Sequence, residues 1–238
     1  MSILIRLNKY IANAGIASRR HADDLISSGQ VKLNGKTMSQ LGTKIDPSVD
    51  QVEVAGQPIS TPSQLVYYLI NKPKGIISTT TDPDGKPTIT SLVPTKDRVY
   101  PVGRLDVESE GLMLLTNDGN LAYHLTHPKF HHPKIYHVLI NGYPSAKTLN
   151  LLTRGTKLKS GRNQPDSLSI LSHQDGDTWL AITLHQGHKH QVRRLITGVN
   201  HRVLRLVRVQ LGPFTLDDLG GHRYLQLEPS QVAAKLAS

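Results

Sequence analysis

Residues 103–111 form the stretch of this sequence whose residue types are best suited to chemistry. They contain one arginine and three carboxylates, namely Arg104, Asp106, Glu108 and Glu110. Loops at the ends of strands carry functional groups more often than the elements they join. Two carboxylates flanking one bond, here Asp106 and Glu110, would suit glycoside hydrolysis, although no second acid lies in a recognisable motif. Acidic surface turns are also common, so spacing alone leaves a solvated loop as the simpler interpretation.

The residues after this loop predict the element that positions it. Met113, Leu114 and Leu115 form an apolar run, and Asn117-Asp118-Gly119 is a strong turn signal. This pattern predicts a short buried strand. Asp106 would therefore lie on a loop that leads into the core.

The full sequence of this stretch is more informative than the spacing of its charged residues. It reads G-R-L-D-x-x-S-x-G-L-x-L-L-T-N-D-G from Gly103, and it resembles the signature of the RsuA/RluB family of pseudouridine synthases, which isomerise uridines in ribosomal RNA. The resemblance implies that Asp106 is the essential catalytic carboxylate. It also implies that Arg104 enters the RNA when the target nucleotide is flipped out, with Leu105 beside it as a further substrate contact.

Composition favours a polyanionic partner. The chain has 238 residues and a formal net charge of +10, which points first to nucleic acid and second to a membrane surface. No apolar run is long enough to cross a membrane, and the N-terminus lacks a signal-peptide pattern. The absence of cysteine excludes disulfides and thiolate chemistry. We expect a cytoplasmic protein that acts as a monomer.

Two long stretches contain basic residues and no acidic ones. The first lies between Asp118 and Asp166 and the second between Asp177 and Asp217. Ordinary solvated surfaces intersperse their charges, so these stretches predict a face for phosphates. Their basic residues are Lys129, Lys134, Lys147, Arg154, Lys157, Lys159 and Arg162 in the first, and Lys189, Arg193, Arg194, Arg202, Arg205 and Arg208 in the second.

The N-terminal residues predict a small separate module. Two short helices separated by Gly15, with Ser18 as an N-cap, precede a hairpin at Asn34-Gly35. The order L-N-K-Y-I…S-R-R-x-A-D-x-L-I resembles the S4 RNA-binding domain, which implies that this module grips RNA backbone. The residues assigned to that contact are Arg6, Lys9, Arg19 and Arg20. A linker is predicted over residues 56–63, which divides the chain into an S4 domain at residues 1–59 and a catalytic domain at 60–238.

Three further motifs resemble the same family. The first, Y-Y-L-I-N-K-P-K-G, contains Lys72, and the second, K-x-Y, contains Lys134 and Tyr136. The resemblance implies RNA contact by both lysines and contact of Tyr136 with the flipped uracil; from its pattern alone, Tyr136 is an ordinary half-buried strand tyrosine. The third motif begins at His185 and departs from the family at two positions, Gln186 and Leu195. It places Arg193 as the partner of Asp106, and Lys189, Gln191 and Arg194 as RNA contacts.

Many histidines occur in two groups, but their spacing matches no known zinc pattern. We expect no metal, and we expect no cofactor because the implied reaction is a redox-neutral isomerisation. The predicted fold is α+β, with the S4 module followed by a catalytic domain on a mixed, largely antiparallel sheet. The implied function is conversion of one ribosomal RNA uridine, in the large subunit, to pseudouridine. The alternative is a non-catalytic RNA-binding factor of ribosome assembly.

The mechanism leads to a geometric prediction. An arginine partner would keep the carboxylate of Asp106 ionised when RNA excludes water from the site. We therefore expect an Asp106 oxygen about 2.7–3.2 Å from an Arg193 nitrogen. Tyr136 should line the same cleft.

Overall fold

The computed structural model of the protein describes residues 4–61, 64–158 and 161–237. The chain divides into two compact units. The first comprises the described residues up to Leu65, with Lys96–Arg98 and Asn117–Gly119, and the second comprises the rest. The predicted boundary between residues 59 and 60 stays a prediction. Pro62 and Ser63 of the predicted linker lie outside the described residues.

The first unit contains two helices and short antiparallel strands around a small apolar core. Its elements are β1 (Ile5–Arg6), α1 (Leu7–Asn13), α2 (Arg19–Ser27), β2 (Val31–Leu33), β3 (Lys36–Met38), β4 (Lys44–Ile45), β5 (Val52–Val54) and β6 (Gln57–Ile59). The hydroxyl of Ser18 accepts the His21 N–H at 3.2 Å and caps α2, as predicted. Asn34 and Gly35 both have positive φ and form the predicted hairpin turn.

The predicted linker at residues 56–63 is wrong in its first half. Ala55 and Gly56 adopt positive φ angles and turn the chain. β6 then pairs antiparallel with β5 at the end of a four-stranded sheet. Pro58 is tolerated there because an edge strand does not need every N–H group for pairing. The composition of this segment indicated a linker, but the turn at Ala55-Gly56 brings residues 57–59 back to pair with β5.

The second unit is built on a large sheet flanked by helices. Its strands are β7 (Tyr67–Lys72), β8 (Tyr100–Pro101), β9 (Glu110–Thr116), β10 (Lys134–Ile140), β11 (Thr156–Leu158), β12 (Gly161–Asn163), β13 (Ser167–Gln174), β14 (Asp177–Leu184), β15 (Val203–Leu211), β16 (Phe214–Thr215) and β17 (Tyr224–Leu227). Its helices are α3 (Gly119–Thr126), α4 (Ala146–Arg154), α5 (Gln191–Thr197) and α6 (Pro229–Ala237). Short 3-10 turns cover Ile89–Leu92, Pro128–Phe130 and Leu216–Leu219.

The sheet has nine strands, and its main path runs β13-β14-β10-β15-β9-β7-β17. β8 and β16 pair at its side with β9 and β15. Every pairing is antiparallel except that of β9 with β15. The predicted α+β fold with a mixed, largely antiparallel sheet is confirmed.

β9 is buried on both faces of this sheet. Leu112 and Leu114 pack into one core with Leu69 of β7, while Met113 and Leu115 pack into another on the opposite face. This strand is the one predicted from the apolar run, and burial fixes its position. The loop that precedes it, with Asp106, is therefore held by the core.

No helix among the described residues is long and apolar enough to span a membrane.

Candidate active site

A cleft of about 1170 Å³ opens beside the loop 103–111. Its walls come from that loop, from β10 and β15, and from the turn that leads into α5. Most of the predicted site residues of the second unit line it: Asp106, Arg193, Tyr136, Arg104, Leu105, Lys134, Lys189 and Gln191. Lys72 and Arg194 do not belong to its lining.

Asp106 lies between the guanidinium group of Arg193 and the imidazole ring of His190. Its Oδ2 is 4.0 Å from Arg193 Nε, and its Oδ1 is 3.4 Å from His190 Nε2. The contact with Arg193 is thus longer than the expected hydrogen bond, because Arg193 Nη2 donates at 3.1 Å to the backbone carbonyl of Glu108. The carboxylate is 38% exposed, so it faces the open cleft with a cation on one side and an imidazole on the other.

The turn that carries Asp106 is held from below by a buried lysine. The ammonium of Lys72 donates to the carbonyl oxygens of Pro73 at 3.0 Å, Val107 at 3.3 Å and Ser109 at 2.7 Å. Its side chain is fully buried. Burial lowers the pKa of Lys72 to about 8, although the nearby carboxylates, Asp106 first, oppose this shift.

The predicted RNA contact by Lys72 is therefore wrong. An ammonium has three donors, and all three are directed at backbone carbonyls away from solvent. Lys72 instead positions the segment that follows Asp106. Sequence alone could not separate these roles, because a lysine before a turn is exposed in most proteins.

Leu105 is held by a serine on the neighbouring segment. The hydroxyl of Ser78 donates to the Leu105 carbonyl at 2.7 Å and accepts the Leu105 N–H at 3.1 Å. Leu105 lines the cleft but is largely buried. Together, Ser78 and Lys72 fix the backbone on both sides of Asp106. Arg104 precedes this segment and is exposed at the rim of the cleft.

A buried arginine, Arg208, lies next to Tyr136 in the sheet. Arg208 is 2% exposed, and it donates from Nε to the Leu112 carbonyl at 2.8 Å and from Nη2 to Met113 Sδ at 2.8 Å. Tyr136 lies directly opposite on β10. Burial lowers the pKa of Arg208, and electrostatic attraction to the Tyr136 hydroxyl opposes this shift.

Lys134 is also largely buried, and this changes its predicted role. Its ammonium donates to the His185 carbonyl at 3.1 Å, and it is 8% exposed. Burial lowers its pKa, as does the charge of Arg208, while Asp166 opposes them. Lys134 lines the cleft, but its main contact ties β10 to the turn before α5. Since Lys134 lines the cleft, its RNA contact stays a prediction.

A glycine permits the close packing that places Arg208. Gly111 has φ +104°, and a Cβ on it would lie 2.3 Å from the Arg208 carbonyl oxygen. This is where β9 and β15 run parallel, with Gly111 opposite Arg208. No side chain fits there, so glycine is required both by conformation and by space.

The turn before α5 presents the second half of the site. Gln191 is buried, and its Oε1 accepts the His188 N–H at 2.9 Å. It therefore holds the turn, and because it also lines the cleft, its RNA contact stays a prediction. His190 follows with φ +55°, which is unusual for a residue other than glycine. Lys189 and Arg194 are exposed.

The basic stretches are only partly exposed. Arg208 is buried, and Arg205 pairs with Glu110 through two contacts of 3.0 Å. Lys159 and the side chains of Lys157 and Arg162 lie outside the described residues. In the first unit, Arg6, Arg19 and Arg20 are exposed and Lys9 is half-buried. The inference of one continuous phosphate face thus holds for fewer residues than composition indicated.

Sequence reasoning missed two residues of the site, Ser78 and His190, and it assigned Arg208 to an exposed face for phosphates although this residue is buried. The signal for Arg208 was present, since it alternates with Leu206 on β15 and should share its buried face. His190 had no such signal, because its position depends on the turn. Among the described residues, no three His, Cys, Asp or Glu side chains converge in a metal-binding arrangement.

Comparison with known proteins links this geometry to a family. The family described as RNA pseudouridylate synthase matches residues 66–197, and the S4 domain matches residues 5–52. An uncharacterized RNA pseudouridine synthase of Aquifex aeolicus is 41% identical, over 96% of this chain and 92% of that protein. Ribosomal large subunit pseudouridine synthase B of Bacillus subtilis is 39% identical, over 95% and 93%. A crystal structure of a pseudouridylate synthase is 26% identical, with a TM-score of 0.64 over 97% of this chain and 99% of that one.

Proposed function

The chain belongs to the RNA pseudouridylate synthase family, and on that premise we propose that it converts a uridine of large-subunit ribosomal RNA to pseudouridine with Asp106 as its catalytic carboxylate. The observation that carries this assignment is the position of Asp106 in the cleft, with Arg193 and His190 beside it. The large-subunit target is supported by the name of the Bacillus subtilis relative.

The reaction breaks the N1–C1′ bond and joins C5 to C1′. The proton on C5 is lost and N1 gains one, so no redox cofactor is required. The bond lies within structured RNA, so the nucleotide must first leave its stack, which costs a few kcal/mol. Asp106 then acts either as nucleophile at C1′ or as base at C2′ through a glycal. Both routes need an ionised carboxylate beside the sugar.

Arg193 and His190 lie on either side of the Asp106 carboxylate. When RNA fills the cleft it removes water, which would otherwise stabilise the charge. Arg193 keeps its own charge under all physiological conditions and supplies the compensating cation. Its 4.0 Å separation from Asp106 leaves room for it to shorten on substrate binding, as apo catalytic contacts commonly do. His190 can donate to the other carboxylate oxygen.

Tyr136 and Arg208 are suited to hold the flipped base. Tyr136 offers a flat ring at the cleft wall, on which a uracil can stack. Arg208 is buried and lies opposite Tyr136 on the neighbouring strand β15. This pairing holds the strand that presents the Tyr136 ring to the cleft.

Affinity for RNA is assigned to exposed cations in both units. Arg104 and Lys189 lie at the rim of the cleft and Arg194 lies near it on α5. Residues 1–59 are proposed to form the S4 RNA-binding domain, whose contacts come from Arg6, Lys9, Arg19 and Arg20, and residues 60–238 the catalytic domain. Such contacts fix the position of the RNA without reading its sequence.

Transcripts of large- and small-subunit ribosomal RNA, each treated with the purified protein, test the target. Pseudouridines are mapped in both by carbodiimide modification and primer extension. We expect one new site, in the large-subunit transcript. A site only in the small-subunit transcript would overturn the target, and no site in either would count against the enzymatic assignment.

A further inference from the structure

A cluster of rings and one cation lies at the surface between α3 and β10. It consists of Tyr123, His124, His127, Lys129 and Phe130, which we call the stacking platform. Tyr123 and His127 have ring centroids 4.8 Å apart, and His124 and Phe130 4.0 Å apart. Tyr123 and Phe130 meet edge to face at 5.7 Å. The four rings thus form one contiguous surface.

The platform is exposed and positively charged. Tyr123 is 48% exposed, and the ammonium of Lys129 lies 5.1 Å from the Tyr123 ring centre and 4.6 Å from that of Phe130. The His127 Nδ1 atom accepts the Lys129 N–H at 3.2 Å, which fixes the turn that carries the lysine. No acidic residue occurs in the sequence between Asp118 and Asp166. The surface therefore combines ring faces with uncompensated positive charge.

Packing alone does not account for this arrangement. The chain contains only two phenylalanines, and the other, Phe214, is fully buried in the core, as is Tyr67. A folding role would place the rings of the platform inside in the same way. Exposed aromatic rings interleaved with cations are instead typical of surfaces that bind single-stranded nucleic acid.

The platform adjoins the cleft. Thr126 and Pro128, which lie within the same segment, line the cleft wall. Thr126 Cγ2 is 3.6 Å from the position that a Cβ on Gly103 would take, next to Arg104. A strand of RNA leaving the cleft past Arg104 therefore reaches the platform directly.

We infer that the stacking platform binds an unpaired nucleotide of the RNA beside the flipped uridine, an inference that rests on the proposed function. The base stacks on Tyr123, and Lys129 moves from the ring faces to pair with the phosphate of the same nucleotide. Stacking on a ring is tolerant of base identity, since every base has a flat face. The platform thus sets the path of the strand and does not read its sequence.

Binding of the large-subunit ribosomal RNA transcript, measured for four variants, tests this inference. Tyr123→Ala removes the ring, and Tyr123→Phe keeps it. Tyr143→Ala is the matched control, because Tyr143 is also exposed and packs on one histidine ring, His173, at 5.0 Å, but no residue of its turn lines the cleft. Lys129→Ala removes the cation. Dissociation constants are measured over a salt series, together with kcat and KM for pseudouridine formation.

Tyr123→Ala should raise the dissociation constant about 5- to 150-fold, with a similar rise in KM and little change in kcat. Tyr123→Phe and Tyr143→Ala should bind as the unaltered protein does. Lys129→Ala should reduce the steepness of the log–log salt dependence by about 0.7–0.9, the share of one phosphate. Unchanged binding by Tyr123→Ala would overturn the inference, as would an equal loss in Tyr143→Ala. If the unaltered protein makes no pseudouridine while Tyr123→Ala still binds more weakly, the proposed reaction fails and the platform stands.

Discussion

The buried ammonium of Lys72 donates a hydrogen bond of 2.7 Å to the carbonyl oxygen of Ser109, 37 residues along the chain. This contact and those with Pro73 and Val107 hold the turn that carries Asp106. The position of the carboxylate therefore depends on a residue that does not line the cleft.

Replacement of this lysine tests its positioning role. Lys72→Met fills the same space but leaves the three carbonyl oxygens without their donor, which costs about 1–3 kcal/mol. The turn should shift, and kcat should fall about 100-fold or more, since a displacement of about 1 Å can have that effect. RNA affinity should remain within about twofold.

Lys74→Met is the control, because Lys74 is half-exposed and contacts Glu110 only at 3.8 Å. It should keep its kcat and its free energy of unfolding within about 0.5 kcal/mol. A large loss of RNA affinity in Lys72→Met, with kcat unchanged, would restore the original prediction of an RNA contact.

Glu110 provides a prediction for pH. A hydrogen bond from Arg205 holds the pKa of Glu110 below its usual value, with help from the charges of Arg205 and nearby lysines and against burial. A carboxyl group whose pKa is lower in the folded protein stabilises the fold. This stabilisation is fully present above the pKa of the unfolded state, about 4.5, and is lost as the pH falls through the pKa of the folded state. The effect should be about 1 kcal/mol, because Arg205 is half-exposed.

Urea unfolding of the protein and of Glu110→Gln between pH 3 and pH 7 measures this contribution. At pH 7 the variant should be less stable by about 1 kcal/mol, and the difference should shrink below about pH 4.5. Asp84→Asn is the control, since both side chains of its pair with Lys86 are mostly exposed and the loss of that pair should be nearly neutral. A difference that grows towards low pH would mean that the sign assigned to Glu110 is wrong.

Gly111 provides a test of the packing of β9 against β15. Gly111→Ala would place a methyl group 2.3 Å from the Arg208 carbonyl oxygen, and backbone on both sides is held in the sheet. We expect a loss of about 4 kcal/mol or more in the free energy of unfolding, or failure to fold. Gly75→Ala is matched in its positive φ but meets nothing within 4 Å, so it should cost only about 1–2 kcal/mol. Equal losses of stability in the two variants would show that the positive φ angle, and not the contact with Arg208, makes glycine necessary at position 111.

The basic surface should make RNA binding strongly dependent on salt. About five to eight phosphate contacts give a log–log slope of about −3.5 to −7, between the single-strand and duplex limits. Arg194→Ala should weaken binding and make the slope less steep by about 0.7–0.9 if this exposed residue contacts one phosphate. Fluorescence titration between 50 and 300 mM salt, about the range in which such contacts are resolved, measures both. A flat response would contradict backbone binding.

Local elements could be predicted well from the sequence. The buried strand predicted from Met113–Leu115 and the hairpin turn predicted at Asn34-Gly35 are both present, because apolar runs and turn residues are strong local signals. The loop at residues 103–111 was located because its residues form a long motif before a buried strand. In these cases the decisive information lies within a few neighbouring residues.

Contacts between distant segments could not be predicted in the same way. The parallel pairing of β9 with β15 brings Gly111 to Arg208, and nothing local in either strand indicates it. Burial of Lys72 and Lys134 depends on carbonyl groups supplied by other turns. Basic residues were therefore assigned to solvent by type, although the fold places several of them inside.

Release of tritium from ribosomal RNA that carries 5-tritiated uridine tests the central claim most directly, because formation of the C5–C1′ bond expels the hydrogen on C5. Asp106→Asn keeps the shape of the side chain and removes its charge. We predict that the unaltered protein releases tritium from one uridine per RNA, and that Asp106→Asn releases none while its RNA affinity changes by no more than about threefold, less than the weight of one charge-assisted contact. Release by Asp106→Asn at a rate near that of the unaltered protein would contradict the account, because another group would then carry the chemistry.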